Sequence, residues 1–346
     1  MAQRVTLKDI AEAAGVSAMS VSKALNNKAG VSEQKRKQIL DIAKRMNYTP
    51  NMVAKSLRID ETKTIGVVLA DSAELVTSKV LRGIQDGASD KGYSVIVCNT
   101  DNQRDLEERA IQTLMSKQID GLILVAPFFY SDDKLKVLQQ YGIPVVMLMR
   151  KNDRVDIDTV INDNYLGGYQ TVAHLIEEGC RLFQILGMER VEVSTEREHG
   201  YEQAFRDYHI PQSAYSIEYV PPFIEAGYKT TKELLSSGAK FDALVCACDM
   251  IAIGAMEAVL EQNLRIPEDV RIIGYDGIDF GKYLRVPLST MAQPLYEIGQ
   301  SGVEILLNRI QNPQISVRKI VLKCKLLVRT STHLARRPVD ALWEGL

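Results

Sequence analysis

Residues 5–26 read VTLKDIAEAAGVSAMSVSKALN and predict two short helices joined by a tight turn. From Leu7 onward, apolar residues recur at i, i+3, i+4 and i+7, which is one apolar stripe of a helix. Gly15 then supplies the permissive backbone that a sharp turn after a helix needs. Ser17 can cap a second helix that runs to about Asn26, because its hydroxyl can accept from an N–H group of the first turn.

A third helical segment follows and completes a three-helix unit. It begins at Ser32 and repeats the apolar stripe from Ile39 to Met46, and Pro50 is expected to end it by restricting the residue before it. Thr6 stands before the first helix as a natural N-cap. Two short helices joined by a glycine turn and supported by a third form the helix-turn-helix plan, so the sequence predicts an all-α head.

The same residues carry a family resemblance. Residues 5–17 and 21–26 closely resemble the DNA-binding head of the LacI/GalR family of bacterial transcriptional regulators, and NYTPN at 47–51 and AKSL at 54–57 continue the match. The resemblance implies a sequence-specific DNA-binding regulator, expected to act as a repressor, whose body binds a small-molecule effector. It also implies a homodimer on double-stranded, pseudo-palindromic operator DNA, since two heads on a two-fold axis need two half-sites.

Three side chains of the second helix are predicted to read bases. A recognition helix contacts base edges from its N-terminal residues, so Ala18, Met19 and Lys23 should face the major groove, and the resemblance places the base-reading positions of the family there. Ala18 and Met19 suit apolar contact with a thymine methyl group, whereas Lys23 can donate to guanine. The alternative for each is an exposed helix residue without a partner. The candidates for phosphate contacts, which position the head without specifying sequence, are Thr6, Ser17, Ser22 and Asn26.

Residues 51–57 follow as a hinge of barely two helical turns. An isolated helix that short is unstable in water, because nucleation costs more than a few hydrogen bonds return. We therefore expect the hinge to fold when it meets DNA and its dimer mate. The resemblance implies that it enters the minor groove, with Leu57 wedged between base pairs, Ala54 beside it and Asn51 among the DNA contacts. The alternative is that Leu57 is an ordinary buried leucine.

Composition and charge narrow the class of protein. Of the 346 residues, 46% are hydrophobic and 25% are charged, which is ordinary for a globular chain. Residues 1–60 carry a net charge of +6 and the rest carry −8, although the whole chain has −2. A basic end on an acidic body is typical of a tether to a polyanion, with a solvated basic helix as the alternative. Five cysteines fit a reducing cytosol better than a disulfide framework.

Targeting and membrane segments are not expected. The longest apolar runs, at 65–70 and 121–127, are strand-sized, whereas a membrane helix needs about 20 apolar residues. Arg4, Lys8 and Asp9 precede any apolar stretch at the N-terminus, so we expect no secretory signal peptide. We therefore expect a cytoplasmic protein, and the family resemblance implies a bacterial one that is associated with the nucleoid.

Past the hinge, short β-rich runs alternate with helix-length amphipathic stretches such as 166–176. That alternation predicts parallel sheets in a doubly wound α/β architecture. The resemblance implies a two-lobed, periplasmic-binding-protein-like body in which three crossings join the lobes. The predicted strands are 65–70, 94–99, 121–125, 145–149, 183–186, 243–247 and 270–275.

These patterns divide the chain into a head, a hinge, a body and a tail. The head is 1–50, the hinge helix and linker are 51–61, the effector-binding and dimerisation body is 62–332, and the C-terminal tail is 333–346. Within the body, the N-lobe is expected at about 62–161 and 293–322, and the C-lobe at about 162–292 and 323–332. The tail is too short and irregular for the leucine heptads that make some relatives tetramers, so a dimer is expected.

Effector-binding residues are expected in a cleft between the lobes, at the carboxyl ends of the strands. Asp71 and Ser72 follow the first predicted strand. Asp276 ends a Gly-Tyr-Asp stretch, and Gln293 follows a crossing. The resemblance implies that an arginine and an aspartate contact the effector, and these match Arg197 and Asp276. A guanidinium that donates and a carboxylate that accepts suit polyhydroxyl recognition. The alternatives are a turn residue for Asp276 and a surface or helix-end charge for Arg197.

The predicted cleft departs from the family pattern at three places. Residues 73–76 stand where the family usually has an aromatic shelf, and Arg150 follows Met149 where an aspartate is common. Cys248 precedes Asp249 where an asparagine is frequent, and Asp249 itself is expected to be a helix N-cap rather than a ligand contact. The predicted effector is a sugar or sugar derivative. Arg150, which is counted among the effector contacts, leaves a phosphorylated or other anionic effector open.

Enzymatic and transport functions are the alternatives. The sequence shows no GxGxxG after a strand, no P-loop and no GxSxG elbow, and its four histidines are scattered. Cys246 and Cys248 lack a second Cys/His pair at zinc spacing, so we interpret them as buried strand thiols. A solute-binding transport component would share the body but would carry a signal peptide and no DNA head. We therefore predict no catalytic residue, no metal and no cofactor.

Overall fold

The structure, a computed structural model, contains two compact units. The first is Met1–Thr62, which includes the head, and the second is Lys63–Leu346, which includes the body. The residues that the structure describes are 5–48, 61–127, 135, 138, 140–151, 154–188 and 192–333. The hinge residues Asn51, Ala54 and Leu57 lie outside the described residues, as do residues 334–346 of the tail.

The head consists of three helices, α1 (Leu7–Ala14), α2 (Ala18–Leu25) and α3 (Glu33–Arg45). Their apolar stripes meet in one small core, as the sequence spacing predicts. The buried members of this core are Ile10, Ala11, Ala14, Val21, Ala24, Ile39, Ile42 and Ala43. The predicted helix-turn-helix head is therefore confirmed.

The ends of the three helices follow from local chemistry. Thr6, Ser17 and Ser32 are the N-caps, and the side chain of each accepts a backbone N–H of the first turn. Gly15 ends α1 in the left-handed conformation, with φ of 62°. The end of α3 differs from expectation: it lies at Arg45, ahead of the proline, because Asn47 adopts a positive φ of 51° and turns the chain.

The body contains twelve strands and seven α-helices among the residues that the structure describes. In chain order they are β1 (Thr64–Leu69), α4 (Leu75–Asp90), β2 (Ser94–Asn99), α5 (Arg104–Ser116), β3 (Gly121–Val125), β4 (Val145–Leu148), β5 (Asp158–Asn162), α6 (Asn164–Glu177), β6 (Phe183–Gly187), α7 (Glu192–Asp207), β7 (Tyr215–Tyr219), α8 (Ile224–Ser236), β8 (Ala243–Cys246), α9 (Asp249–Glu261), β9 (Arg271–Asp276), β10 (Ser289–Ala292), α10 (Leu295–Gln311), β11 (Lys319–Leu322) and β12 (Lys325–Leu327). In these described ranges, no helix is both long and apolar enough to cross a membrane.

The strands form two six-stranded sheets, one in each lobe. Sheet 1, in the N-lobe, has the order β11-β5-β4-β3-β1-β2, and all its strand pairs are parallel. Sheet 2, in the C-lobe, has the order β12-β10-β9-β8-β6-β7, and its only antiparallel pair among the described strands is β10 with β12. The chain passes between the sheets after β5, after β10 and after β11. The predicted two-lobed, doubly wound α/β class is confirmed.

The strands that the sequence pattern missed lack a clean apolar run. β5 begins at Asp158, which is buried and pairs with Arg309 at 2.9 Å, so a charged residue opens a buried strand. β7 is a partly exposed edge strand, and β11 is likewise at an edge with alternating exposure. β10 begins with two polar residues, Ser289 and Thr290, and β12 has only three residues, so neither shows an apolar run.

Candidate functional site

The outer face of α2 carries the residues predicted to read DNA. Val21 and Ala24 are buried in the head core, which turns the opposite face of α2 outward. On that face, Met19 is 69% exposed and Lys23 is half-buried. The spacing of the helix brings Met19, Ser22, Lys23 and Asn26 to this face, whereas Ala18 lies at its border and packs at the edge of the core.

The polar candidates of the head take part in helix capping. The Thr6 N–H donates to Asp9 Oδ2 at 2.7 Å, and the Asp9 N–H donates to Thr6 Oγ1 at 3.4 Å, which is a reciprocal capping box. Ser17 Oγ accepts a backbone N–H at 3.2 Å. Asn26 Nδ2 donates to the Ser22 carbonyl at 2.8 Å. These contacts hold the candidates at helix ends, and their contact with phosphate stays a prediction.

Arg197 is buried at the carboxyl edge of sheet 2. It lies in the second turn of α7, is 3% exposed, and its guanidinium stacks on the Tyr275 ring at 3.6 Å. Its Nε donates to Asn164 Oδ1 at 3.0 Å, and its Nη1 donates to the Ala247 carbonyl at 2.5 Å. The structure therefore excludes the alternative of a surface charge. A planar cation held on a ring at the edge of a sheet is a fixed donor for a ligand.

Two glycines allow α7 to bring Arg197 to this place. A Cβ on Gly168 of α6 would stand 2.3 Å from the Arg197 carbonyl, and a Cβ on Gly200 of α7 would stand 2.2 Å from the Tyr165 carbonyl. Both distances lie far inside van der Waals contact, so the absence of a side chain lets the two helix backbones approach. Gly200 thus allows α7 to pack closely against α6, while Arg197 of the same helix contributes to the candidate site.

Asp276 and Gln293 meet at the same edge. Gln293 Nε2 donates to Asp276 Oδ1 at 2.6 Å, and both side chains are buried. Burial raises the pKa of Asp276 above the usual aspartate range, although the charge of Arg197 and the hydrogen bond from Gln293 act to lower it. Gln293 Oε1 is buried and has no hydrogen-bond partner among the described residues. This oxygen is an acceptor that a ligand hydroxyl can satisfy.

Asp249 has a different role from the N-cap expected for it. The N-cap of α9 is Cys248, and Asp249 is the first helical residue. Its fully buried carboxylate accepts the N–H groups of Gly277 at 2.9 Å and Ile278 at 2.8 Å. The backbone N–H of Asp249 in turn faces the Asp276 carboxylate and acts to lower its pKa. The expectation is wrong because the carboxylate holds the loop after β9 rather than its own helix.

The N-lobe candidates lie at the carboxyl edge of sheet 1. Asp71 Oδ1 accepts the Ala73 N–H at 2.8 Å, in the turn between β1 and α4. Ser72 Oγ accepts from Asn99 Nδ2 at 3.2 Å. Arg150 follows β4 and is half-buried. The structure therefore brings Arg197, Asp276 and Gln293 into one cluster at the edge of sheet 2 and places Asp71, Ser72 and Arg150 at the edge of sheet 1.

Two ion pairs join the lobes. Lys79 Nζ, on α4, contacts Asp279 Oδ1 at 3.1 Å and donates to the Gly277 carbonyl at 3.1 Å. Lys151 Nζ, just past β4, contacts Glu196 Oε1 at 2.6 Å. These contacts show that the carboxyl edges of the two sheets face each other across a cleft. A cavity of about 340 Å³ lies beside the Lys79–Asp279 pair. Of the predicted effector contacts, only Gln293 lines it, together with Lys79, Arg82, Asp279, Leu295, Tyr296 and Glu297.

Several side chains that support Arg197 were not predicted from the sequence. Tyr275 carries the guanidinium on its ring, and its hydroxyl lies 3.4 Å from Cys324 Sγ. Asn162 Nδ2 donates to Asn164 Oδ1 at 2.9 Å, which orients the amide that accepts from Arg197. Tyr275 had a signal, because it lies in the Gly-Tyr-Asp stretch. The asparagines and Cys324 belong to the crossings, where no local pattern points to them.

The two central cysteines are buried. Cys246 is the last residue of β8, and Cys248 lies two residues further on, before α9. Burial raises the pKa of the Cys248 thiol to about 12, and that of Cys246 is also raised. Both thiols are therefore protonated at neutral pH and contribute to packing.

Comparison with known proteins shows the family. The family model described as bacterial regulatory proteins, lacI family, matches residues 6–51. The model described as periplasmic binding proteins and sugar binding domain of LacI family matches residues 62–330. The chain belongs to the LacI family. The family resemblance inferred from the sequence is confirmed, because the two models together cover the helix-turn-helix head and the two-lobed body.

Individual LacI-family relatives match nearly the whole chain. The ribose operon repressor of Haemophilus influenzae is 34% identical over 331 residues, which cover 95% of this chain and 98% of that protein. The crystal structure of the Lac repressor dimer bound to operator and the anti-inducer ONPF has a TM-score of 0.85 at 26% identity, covering 95% of this chain and 99% of that chain. A LacI-family regulator from Enterococcus faecium with bound ribose has a TM-score of 0.72 at 30% identity, covering 79% and 100%.

Proposed function

We propose that this chain represses transcription at a pseudo-palindromic operator and that a small polyhydroxyl effector controls its affinity for that operator. The observation that carries the proposal is the buried cluster of Arg197, Asp276 and Gln293 at the cleft. Its guanidinium donates, and its carboxylate and amide oxygens accept. A molecule with several adjacent hydroxyl groups needs donors and acceptors in this arrangement.

An uncharged sugar or sugar derivative fits this cleft better than an anion. Lys79 and Lys151 each pair with a carboxylate, so their charges are already matched. An anionic effector would also meet the buried carboxyl group of Asp276. The bound ribose of the Enterococcus faecium relative supports a ligand of monosaccharide size. From the N-lobe, the proposed effector contacts are Asp71, Ser72 and Arg150.

The head is proposed to read the operator through the outer face of α2. The exposure of Met19 and the position of Lys23 support base contacts from this face. The proposed DNA contacts are Thr6, Ser17, Ala18, Met19, Ser22, Lys23 and Asn26 in the head, and Asn51, Ala54 and Leu57 in the hinge. The operator-bound Lac repressor dimer supports a homodimer on a two-fold symmetric site.

This function assigns a place and a task to each part of the chain. Residues 1–50 read DNA, 51–61 couple the head to the body, and 62–332 bind effector and dimerise. Binding rather than catalysis is proposed for the cleft, because the curated relatives are repressors. A repressor acts at its operator, so we place the protein in the bacterial cytoplasm, at the nucleoid.

The test measures operator binding and its control by a sugar in one experiment. Selection from a random duplex library should yield a two-fold symmetric consensus sequence. Binding to this sequence should weaken steeply with salt, because protein binding releases counterions from the DNA phosphates and a higher salt concentration opposes that release. D-ribose, followed by a panel of other monosaccharides and nucleosides, is then titrated with and without that operator. Sugar and operator should change the affinity for each other by one common factor.

A variant of the carrying residue completes the test. Arg197→Ala should abolish the sugar response while the selected consensus stays the same. The matched control is Arg309→Ala, which removes a buried, paired arginine of the N-lobe that is 14% exposed in its side chain. An asymmetric consensus, or a sugar response that survives Arg197→Ala, would refute the proposed function.

A further inference from the structure

The 276–279 turn after β9 has a strained backbone at the proposed effector site. Asp276 has φ of 119°, a conformation that residues with a Cβ rarely adopt, and Gly277 has φ of 77°. Such a conformation persists where surrounding contacts hold it, and it is often found at ligand sites. The contacts that hold this turn therefore decide whether the Asp276 carboxylate faces the cleft.

Asp249 makes the contacts that hold the turn from inside the C-lobe. Its Oδ2 accepts the Gly277 N–H at 2.9 Å and the Ile278 N–H at 2.8 Å. Both hydrogen bonds run to a fully buried carboxyl oxygen, where the low local dielectric strengthens them. Thr290 Oγ1 adds a weaker contact to the Gly277 N–H at 3.1 Å. The carboxylate thus fixes two successive peptide groups directly after Asp276.

A second contact orients the side chain of the turn. The backbone N–H of Asp249, at the start of α9, faces the Asp276 carboxylate and acts to lower its pKa. Gln293 Nε2 donates to the same carboxylate at 2.6 Å. Asp249 therefore holds the backbone that carries Asp276, although it is fully buried and lies behind the turn.

We propose that Asp249 is a positioning residue for effector binding: it holds Asp276 in its strained, cleft-facing conformation without touching the effector. This inference rests on the proposed function, because Asp249 acts through Asp276. Lys79 of the N-lobe donates to the carbonyl of Gly277, the residue whose N–H Asp249 holds. The peptide groups that Asp249 fixes are therefore also where the N-lobe contacts the turn.

The experiment compares three variants of the full-length protein. Asp249→Ala removes the oxygen that accepts both N–H groups, whereas Asp249→Asn keeps an oxygen that can accept from Gly277 and Ile278. The matched control is Ser331→Ala. The Ser331 hydroxyl donates to the Ile272 carbonyl at 2.6 Å and accepts the Ser289 N–H at 2.8 Å. The variant therefore removes two buried hydrogen bonds of the same sheet, away from the turn.

Amide hydrogen exchange without any ligand is the first readout. In Asp249→Ala, the Gly277 and Ile278 amides should exchange about tenfold faster or more, while Asp249→Asn should restore most of their protection. Ser331→Ala should lower the melting temperature without accelerating exchange at these two amides. Unchanged exchange in Asp249→Ala would overturn the inference, whatever the effector proves to be.

Affinity for D-ribose, measured by calorimetry, is the second readout. Asp249→Ala should weaken it by about tenfold or more, Asp249→Asn by less than about threefold, and Ser331→Ala should leave it unchanged. If Arg197→Ala abolishes binding and Asp249→Ala does not alter it, the inference fails and the proposed function stands. If Arg197→Ala also leaves binding unchanged, the proposed function fails, and amide exchange alone judges the role of Asp249. If the unaltered protein binds no D-ribose, the sugar of the panel that binds most tightly replaces it in this comparison.

Discussion

Asp249 and Asp276 place two carboxyl groups close together in the interior of the C-lobe. Burial raises the pKa of both above the usual aspartate range, and the neighbouring charge of Asp276 adds to the effect at Asp249. A carboxyl group whose pKa is higher in the folded than in the unfolded state binds its proton more tightly when folded. Its stabilising contribution is full below the ordinary carboxyl pKa and is lost as pH rises through the raised value.

The loss of this stabilising contribution with rising pH leads to a prediction for Asp249→Asn, which removes one of the two ionisable groups. As pH increases from about 5 to about 8, the free energy of unfolding of the variant should increase relative to that of the unaltered protein, by an amount on the order of 1 kcal/mol. The difference between the two melting temperatures should increase accordingly. Differential scanning calorimetry at several pH values measures it. The control is Asp269→Asn, because the hydrogen bonds from Arg265 lower the pKa of Asp269 to about 2, so that its effect should not vary over this range. A constant difference for Asp249→Asn would contradict the prediction.

One face of helix α2 packs into the head core, and the opposite face is available for DNA recognition. Val21 and Ala24 are buried in the head core, while Met19 is 69% exposed. Isolated apolar exposure on a protein surface is common, but here it shares a face with Lys23 and Ser22. The face therefore combines an apolar group, an ammonium and a hydroxyl, which is a set that can distinguish base pairs in a major groove.

A prediction at this scale concerns Lys23→Ala. It should relax sequence preference at one operator base pair and cost about 1–3 kcal/mol against the best operator, because a base-edge donor is lost. Lys37→Ala is the matched control, since Lys37 is an exposed lysine of α3 that lies off the recognition helix. It should leave the preference unchanged. Competition between operator variants at fixed salt measures both, and equal loss for all sequences in Lys23→Ala would assign Lys23 to phosphate instead.

At the scale of the whole body, two ion pairs hold the lobes together across the cleft. The side chain of Asp279 is 82% exposed in its pair with Lys79, whereas Glu196 is 23% exposed in its pair with Lys151. Ion pairs between side chains that are exposed to this extent contribute about 0–1 kcal/mol each to stability, and salt weakens them. Such small contributions suit a switch, because an effector that bridges the lobes can then outweigh them.

The prediction for the body is that the double variant Glu196→Gln, Asp279→Asn opens the cleft. Its radius of gyration, from small-angle scattering of effector-free protein, should increase at low salt, and high salt should shift the unaltered protein in the same direction. The control double variant Glu202→Gln, Asp269→Asn breaks two pairs that lie within the C-lobe. If both double variants scatter alike, the ion pairs across the cleft do not set the lobe arrangement.

Local chemistry alone allows the head to be predicted almost completely. The caps at Thr6, Ser17 and Ser32 and the turn at Gly15 depend on contacts within about four residues, which a sequence displays directly. The alternation of strands and helices likewise indicates the body, and the carboxyl ends of parallel strands indicate the cleft. Arg197, Asp276 and Gln293 could therefore be named, although their burial and mutual contacts could not.

Long-range contacts supply what no stretch of sequence contains. Asp249 reaches Gly277 across 28 residues, and Lys79 reaches the same residue across 198. Whether Asp249 caps its own helix or holds another loop depends on where β9 ends beside α9, which sheet packing determines. The polarity of these side chains is visible in the printed chain, but their partners and their desolvation arise when the two lobes fold and meet, because burial and electrostatic pairing are properties of three-dimensional neighbours.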